Sequence, residues 1–363
     1  MHHRGFDATE IGQLMAVLLL TKVVAPNIWA TVADNIAAKK GSSLSMLKFA
    51  TLATLLIYCL TYFVDGFWNM ALVMLSFCVF WNACLPQLEA ATLNHLKDDK
   101  DKYGLIRLWG SIGFIVTVLA LGWLMDYTGP AAIMPAGVVA LLAVFIASFS
   151  MRDRVGKPAP KSVTVPIREL LSPTVLILLV LCVFMQMSHA PFYTFFSIYL
   201  EGYGYSKLHI GWLWSVGVIC EIIVFIVGVP LLRRFPLPGL LSFTFLVAAL
   251  RWFLVAYFPQ HASMMWFSQA LHAITYGLYH SVMIQMIDRL FQGRYQIRGQ
   301  ALYSSVTFGL GGAIGSFLSG YIWTVYGNNF LFLLAGILML VVFTVSLMFV
   351  RHIKVGNSLR GHS

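Results

Sequence analysis

Residues 131–150 read AAIMPAGVVALLAVFIASFS, a run without one charged side chain and apolar around every face of a helix. A barrel strand would need short segments with polar lumen-facing positions at every second residue, and this run has no such alternation. It reads as a helix in hydrocarbon, because a bilayer core about 30 Å thick takes about 20 apolar residues. Working outward, runs of the same kind, bounded by charge, Pro or Gly, fall near 11–33, 44–63, 67–93, 105–125, 174–199, 208–232, 239–257, 263–287, 300–325 and 329–350. The composition agrees: 59% of the 363 residues are apolar and 10% charged, against about 25% charged in a soluble domain. The expectation is an all-α polytopic membrane protein with eleven transmembrane helices.

The net charge of +10 is dispersed over short loops rather than gathered in a stripe, so it points to topology and not to nucleic acid. With connections assigned alternately, one side of the membrane collects Lys39, Lys40, Lys97, Lys100, Lys102, Arg152, Arg154, Lys157, Lys161, Arg168, Arg233, Arg234, Arg289, Arg294, Arg298, Arg351, Lys354 and Arg360. The other side keeps Arg4 and Lys207, while Lys22, Lys48, Arg107 and Arg251 lie within segments. The positive-inside rule then places the central loop and the C-terminus in the cytoplasm and the N-terminus outside. All five cysteines sit in apolar runs with no CxxC, which implies neither disulfides nor zinc, and Asp7 and Glu10 ahead of the first run argue against a signal peptide.

An internal repeat is legible. Ile11-Gly12 with Lys22 in the first segment matches Ile210-Gly211 with Glu221 in the seventh, and Gly122/Gly129 of the fourth matches Gly320/Gly327 of the tenth. On that register segments one to five pair with seven to eleven, and the sixth has no partner. The longest polar interval, 151–172, divides an N-terminal half (1–150, five spans) from a C-terminal half (173–363, six spans).

The stretches Tyr103-Gly104-Leu105-Ile106-Arg107-Leu108-Trp109-Gly110-Ser111, His189-Ala190-Pro191-Phe192-Tyr193 and Gly211-Trp212-Leu213-Trp214-Ser215 are similar to the phenylpropionate permease branch of the major facilitator superfamily, which is related to the lactose permease and other oligosaccharide/proton symporters. The resemblance implies the major facilitator fold of two pseudo-symmetric helical bundles, here without its first helix. It also implies a sugar-binding role for Glu89 within Pro86-Gln87-Leu88-Glu89-Ala90, with Arg107 as its partner. Glu221, Arg251 and His272 fall on the family's eighth-, ninth- and tenth-helix polar positions. Phe114 lies near the sugar-stacking aromatic, and Thr275 stands where the lactose permease has a glutamate three residues after its histidine. ATVADNIAAKK at 30–40 resembles a degraded form of the superfamily's loop between helices two and three.

A charge near the bilayer centre costs about 2.5–3.5 kcal/mol on insertion scales, so each should face a cavity or a partner. Lys22, Glu89, Arg107, Glu221 and Arg251 are therefore candidates for substrate binding or proton coupling, or else structural ion pairs. Lys48, near a segment start, snorkels. Glu89 and Arg107 can meet across a short hairpin, either to bind substrate through the planar guanidinium or to pin that hairpin. Glu221 is the leading proton carrier, because a desolvated carboxylate can hold a proton until a cation approaches. His272, whose imidazole titrates in the useful range, is a further proton-coupling candidate and shares a helical stripe with Thr275, Tyr276, Tyr279 and His280, which reads as a cavity wall, or as an interhelical hydrogen-bond donor in the case of His272. Gln186, His189, Tyr193 and Phe196 form a second such face.

The glycines of segment ten read as close-packing positions, since no Walker lysine follows and no strand precedes them. Hydrolase, zincin and paired-cysteine motifs are absent, so no enzyme and no cofactor is expected. The sequence reading is a monomeric, multi-pass secondary transporter of the plasma or inner membrane. It moves a small organic solute, an aromatic carboxylate or sugar-like compound, by proton symport and alternating access. The rival reading is a transport-dead membrane sensor, scaffold or truncated remnant.

Overall fold

The computed structural model of the chain describes residues 1–40, 44–96, 102–151, 172–292 and 295–350. The expected linker falls almost wholly outside the described residues, as do Lys97, Lys100, Arg294 and the basic C-terminal residues Arg351, Lys354 and Arg360. Helices follow in the order α1 (Ala8–Lys40), α2 (Leu44–Leu60), α3 (Phe67–Leu96), α4 (Tyr103–Thr128), α5 (Ile133–Ser150), α6 (Pro173–Gly202), α7 (Lys207–Arg234) and α8 (Leu237–Tyr257). Then come α9 (Ala262–Ala270), a π turn (Ala273–Leu278), α10 (Tyr279–Leu290), α11 (Gln296–Ser304), a second π turn (Ser305–Gly311), α12 (Gly312–Tyr326) and α13 (Asn328–Val350). No strand occurs among the described residues.

Nine stretches among these residues are long and apolar enough to cross a membrane, fewer than the eleven expected. The two differences have local causes. Leu44–Leu60 closes after 17 residues, where the Thr61 hydroxyl donates to the Tyr58 carbonyl and Gly66 takes φ 79° to turn the chain. The run expected at 263–287 is broken by a turn at Leu271, ahead of the first π turn, and falls into helices of 9 and 12 residues, whereas the second π turn lies inside one of the nine stretches, Arg298–Tyr326.

The chain separates into two compact units, Met1–Ser162 with Ser206–Gly211, and Val163–Tyr205 with Trp212–Ser363. This boundary differs from a simple cut at the linker, because the first turn of α7 groups with the first unit. In the first unit α1 and α2 pack on α3, and α5 on α2. Ala33, Leu44, Met46, Leu47, Ala50, Ala83 and Cys84 form a buried core there. Polar groups are satisfied between helices: Trp29 Nε1 donates to the Val79 carbonyl (2.6 Å) and Asn82 Nδ2 to Thr21 Oγ1 (2.8 Å). Gly137 leaves the space that the Tyr58 ring fills.

In the second unit α6 is the central helix. Ser172 caps it by accepting from the Val175 N–H, and Pro173 sits at the first helical position, where a missing N–H costs nothing. Phe192, Phe195, Phe196 and Tyr199 are all essentially buried along it. Pro191 has no N–H to give the Met187 carbonyl four residues back. At that level α12 comes close: a Cβ on Gly315 would lie 2.7 Å from Ala190 Cβ and from Met187 Cα. Glycine is thus a packing requirement here. α13 packs on α8 and α6, with Ser346 donating to Ser242 (2.8 Å) and Asn329 Nδ2 to the Ala256 carbonyl (2.9 Å).

The repeat read from the sequence has a backbone counterpart. α4 ends on Gly129 (φ 77°, ψ 179°), whose N–H bonds the Met125 carbonyl. α12 ends on Gly327 (φ 89°, ψ 170°), whose N–H bonds the Trp323 carbonyl. Both lie in a region that is essentially closed to side chains. Gly129→Ala and Gly327→Ala should each destabilise by about 1–3 kcal/mol, read as a lowered thermal midpoint in detergent. Gly104→Ala, where an added Cβ meets nothing within 4 Å, should be neutral or slightly stabilising.

Candidate functional site

The second unit encloses a charged side chain. Arg251, in the second half of α8, is 0% exposed. Its Nη1 lies 2.9 Å from His272 Nδ1 and donates to Thr275 Oγ1 (3.1 Å), while Nη2 donates to Gln269 Oε1 (3.4 Å). The guanidinium sits 4.4 Å from the Phe192 ring centroid and 4.5 Å from that of Trp252. A cation desolvated between aromatic rings gains about 2 kcal/mol from each good contact, which offsets part of the cost of burying it. Nε has no hydrogen-bond partner.

Two further shells are built on this core. On the α6 side, His189 Nδ1 lies 2.9 Å from the Met185 carbonyl and Nε2 lies 3.4 Å from Thr275 Oγ1. Ser188 accepts from Trp252 Nε1 at 3.3 Å. On the α7 side, His272 Nε2 stands 3.9 Å from Glu221 Oε2, with 18% of the Glu221 side chain exposed. Gly277, in the π turn, makes room for that carboxylate: a Cβ there would come within 3.2 Å of Glu221 Cγ.

The π turn also changes the stripe expected on this segment. Its i→i+5 bonding widens the helix and brings residues four apart nearly into register. His272 and Tyr276 stack at 5.3 Å and 10°, and Tyr276 and His280 at 6.1 Å and 6°. Thr275 and Tyr279, expected on the same face, are instead buried inside the unit (0% and 2% exposed). Tyr193 (38% exposed) stacks with Trp214 at 6.3 Å, so it presents a partly open aromatic surface. Gln186 and Phe196, expected beside it, are buried. An apolar cavity of about 350 Å³ among α6, α12 and α13 has no charged residue in its lining, so the polar chemistry lies with the Arg251 cluster.

The chain matches the model of the MFS_1 like family over residues 1–334. It belongs to that family, within the major facilitator superfamily. Among relatives of the same superfamily, the probable 3-phenylpropionic acid transporter of Escherichia coli (strain K12) is 28% identical over 304 residues, covering 80% of this chain and 77% of the relative. The maltose permease of Geobacillus stearothermophilus is 28% identical over 324 residues, covering 87% and 79%. A solved structure of the nucleoside transporter NupG superposes with a TM-score of 0.82 at 15% identity, covering 95% of this chain and 91% of that one. The last likeness shows the major facilitator fold.

Within this MFS chain, the structure brings His189, Tyr193, Glu221, Arg251, His272 and Tyr276 into one neighbourhood of the second unit. In the first unit Arg107 donates to Glu89 Oε1, and the Tyr103 hydroxyl donates to the same oxygen (3.2 Å). The Arg107 side chain is 62% exposed. An ion pair this open contributes about 0–1 kcal/mol to stability where water reaches it. Phe114 is 40% exposed on α4, Lys22 is exposed on α1, and neither joins the Glu89–Arg107 pair. Lys48 lies over the Phe149 ring at 4.9 Å. Sequence reasoning missed Gln269, Trp252 and Phe192 as partners of the buried cation, and Ser188 as the acceptor that holds the Trp252 indole. Gln269, three residues before His272, was open to the same helical-spacing argument.

Thr275→Val should unfold at a temperature lower by about 3 °C or more, because a buried donor and acceptor left unpaired cost about 1–3 kcal/mol each. Thr275→Ser should retain most of the wild-type midpoint.

Proposed function

We propose that the chain is a secondary active transporter that carries a small organic solute by proton symport and alternating access. Its relatives are named as transporters of an aromatic acid, a sugar and a nucleoside, which supports the transporter class. The observation that carries the coupling is the partly open Glu221 carboxylate on a spanning helix, 3.9 Å from His272 and one residue removed from the enclosed Arg251 cation. A carboxylate so placed can load a proton from an aqueous opening and release it when positive charge approaches. Glu89 and Arg107 are the proposed polar substrate contacts, with Phe114, His189, Tyr193, His272 and Tyr276 as further binding positions. Lys22, Arg251 and His272 are assigned to coupling alongside Glu221. The proposed site of action is the plasma or inner membrane, with the central loop and C-terminus cytoplasmic and the protein working as a monomer.

The two substrate classes separate electrically. A neutral sugar-like solute carried with one proton moves net charge, whereas an aromatic carboxylate carried with one proton does not. For the neutral solute, 100 mV supplies about 2.3 kcal/mol, enough for about 50-fold accumulation. Proteoliposomes holding the full chain should accumulate 3-phenylpropionate under a pH gradient without current, or maltose with an inward current. Glu221→Gln should abolish gradient-driven accumulation yet retain solute exchange, and Arg107→Ala should lose both. Gradient-driven accumulation at the wild-type level in Glu221→Gln sinks its coupling role. A folded wild-type chain that moves no solute of an extended panel supports the transport-dead reading instead.

A further inference from the structure

The donor and acceptor chemistry around Arg251 fixes more than packing. A guanidinium donates and never accepts, so His272 Nδ1, 2.9 Å from Arg251 Nη1, carries a lone pair and the ring proton resides on Nε2. A carbonyl accepts and never donates, so His189 Nδ1, 2.9 Å from the Met185 carbonyl, carries the proton and Nε2 the lone pair. Thr275 Oγ1 lies between them. It accepts from Arg251 and has one proton to give, with His189 Nε2 at 3.4 Å and the His272 carbonyl at 3.5 Å. The two histidines, with ring centroids 6.5 Å apart, are therefore opposite tautomers, His272 fixed by Arg251 and His189 by the Met185 carbonyl.

We propose that Arg251 is a positioning residue that locks His272 in its Nε2–H form toward Glu221, leaving Glu221 as the single proton-accepting group of the cluster. A second proton on His272 would occupy Nδ1 and confront an Arg251 N–H at 2.9 Å, donor against donor. A second proton on His189 would sit on Nε2, turn the Thr275 hydroxyl proton to its other acceptor, the His272 carbonyl at 3.5 Å, and set a second cation in a cluster that already encloses Arg251. The titratable and charged groups facing this cluster are His189 and Tyr193 from α6, Glu221 from α7, Arg251 from α8 and Tyr276 one turn beyond His272. The inference deepens the proton-coupling reading and rests on it for its functional meaning: within this cluster the transported proton is carried by Glu221. The tautomers themselves follow from the geometry alone.

The test is ¹⁵N-histidine NMR of the full chain in lipid nanodiscs, with the two signals assigned by their loss in His272→Gln and His189→Gln. The expected result is Nε2–H for His272 and Nδ1–H for His189, each unchanged from about pH 8 to about pH 5. In Arg251→Met, where an apolar side chain of similar length replaces the cation, His272 should become a tautomer mixture or gain a second proton over that range. Thr275→Val should alter the His189 signal and leave His272 locked. An Nδ1–H form of wild-type His272, a second proton on it above about pH 5, or an unaltered His272 in folded Arg251→Met overturns the proposal. None of these signals needs a substrate, so a failure of uptake is distinguishable from a failure of the lock.

Discussion

A guanidinium that no water reaches must be satisfied by its own protein, and that constraint organises the second unit. Arg251 meets it with three neutral acceptors and two aromatic faces rather than with a direct carboxylate. Hydrogen bonds to a charged group are worth about 1.5–3 kcal/mol each, so the three together rival the penalty of enclosing the ion. The acceptors come from α9 and the π-turn segment, and the rings from α6 and α8. Satisfying one ion therefore holds these elements in register. The carboxylate stands second in line, behind His272, where a direct ion pair would have quenched it.

Glycine and the π turn make that arrangement sterically possible. Gly277 admits the Glu221 stem against the π turn, and Gly217 faces the His272 ring, where a Cβ would touch its edge at 3.4 Å. The wider turn sends Thr275 inward to the cation and leaves His272, Tyr276 and His280 as a parallel stack. Burial differs sharply along the chain: α6 and α8 are 67% buried over their spans, while α4 is 6% buried. A closed polar network requires walls on all sides, which the second unit supplies. The Glu89–Arg107 pair on α3 and α4, by contrast, is open to its surroundings.

Much of the fold was legible because hydrocarbon leaves a coarse mark on a sequence. The uncharged run at 131–150 and its counterparts announced helices, and the Gly129 and Gly327 caps reproduced the repeat at the level of φ and ψ. The run at 263–287 is not one unbroken helix, because apolarity and length do not report the turn at Leu271 or the π turn that follows it. The candidate site was legible as a set of residues and not as an arrangement. Glu221, Arg251 and His272 stood out as polar groups in apolar helices, and His189 by its spacing to Tyr193. The sequence placed no contact between His189 and the Arg251 cluster, because α6 and the π-turn segment are 86 residues apart where Thr275 joins them.

The sequence by itself determined that the chain is helical and membrane-spanning, where most spans begin and end, and which of its charges are too costly to leave without a purpose. Those properties depend on composition and on the local backbone, both of which can be read along one strand of residues. Only the tertiary structure decided that Arg251 binds His272, Thr275 and Gln269, that Glu221 stands behind the histidine, and which ring nitrogen carries each proton. The reason is geometric: helix rotation and a π-turn register shift set which faces meet, and neither leaves a periodic trace in the residues of a single segment.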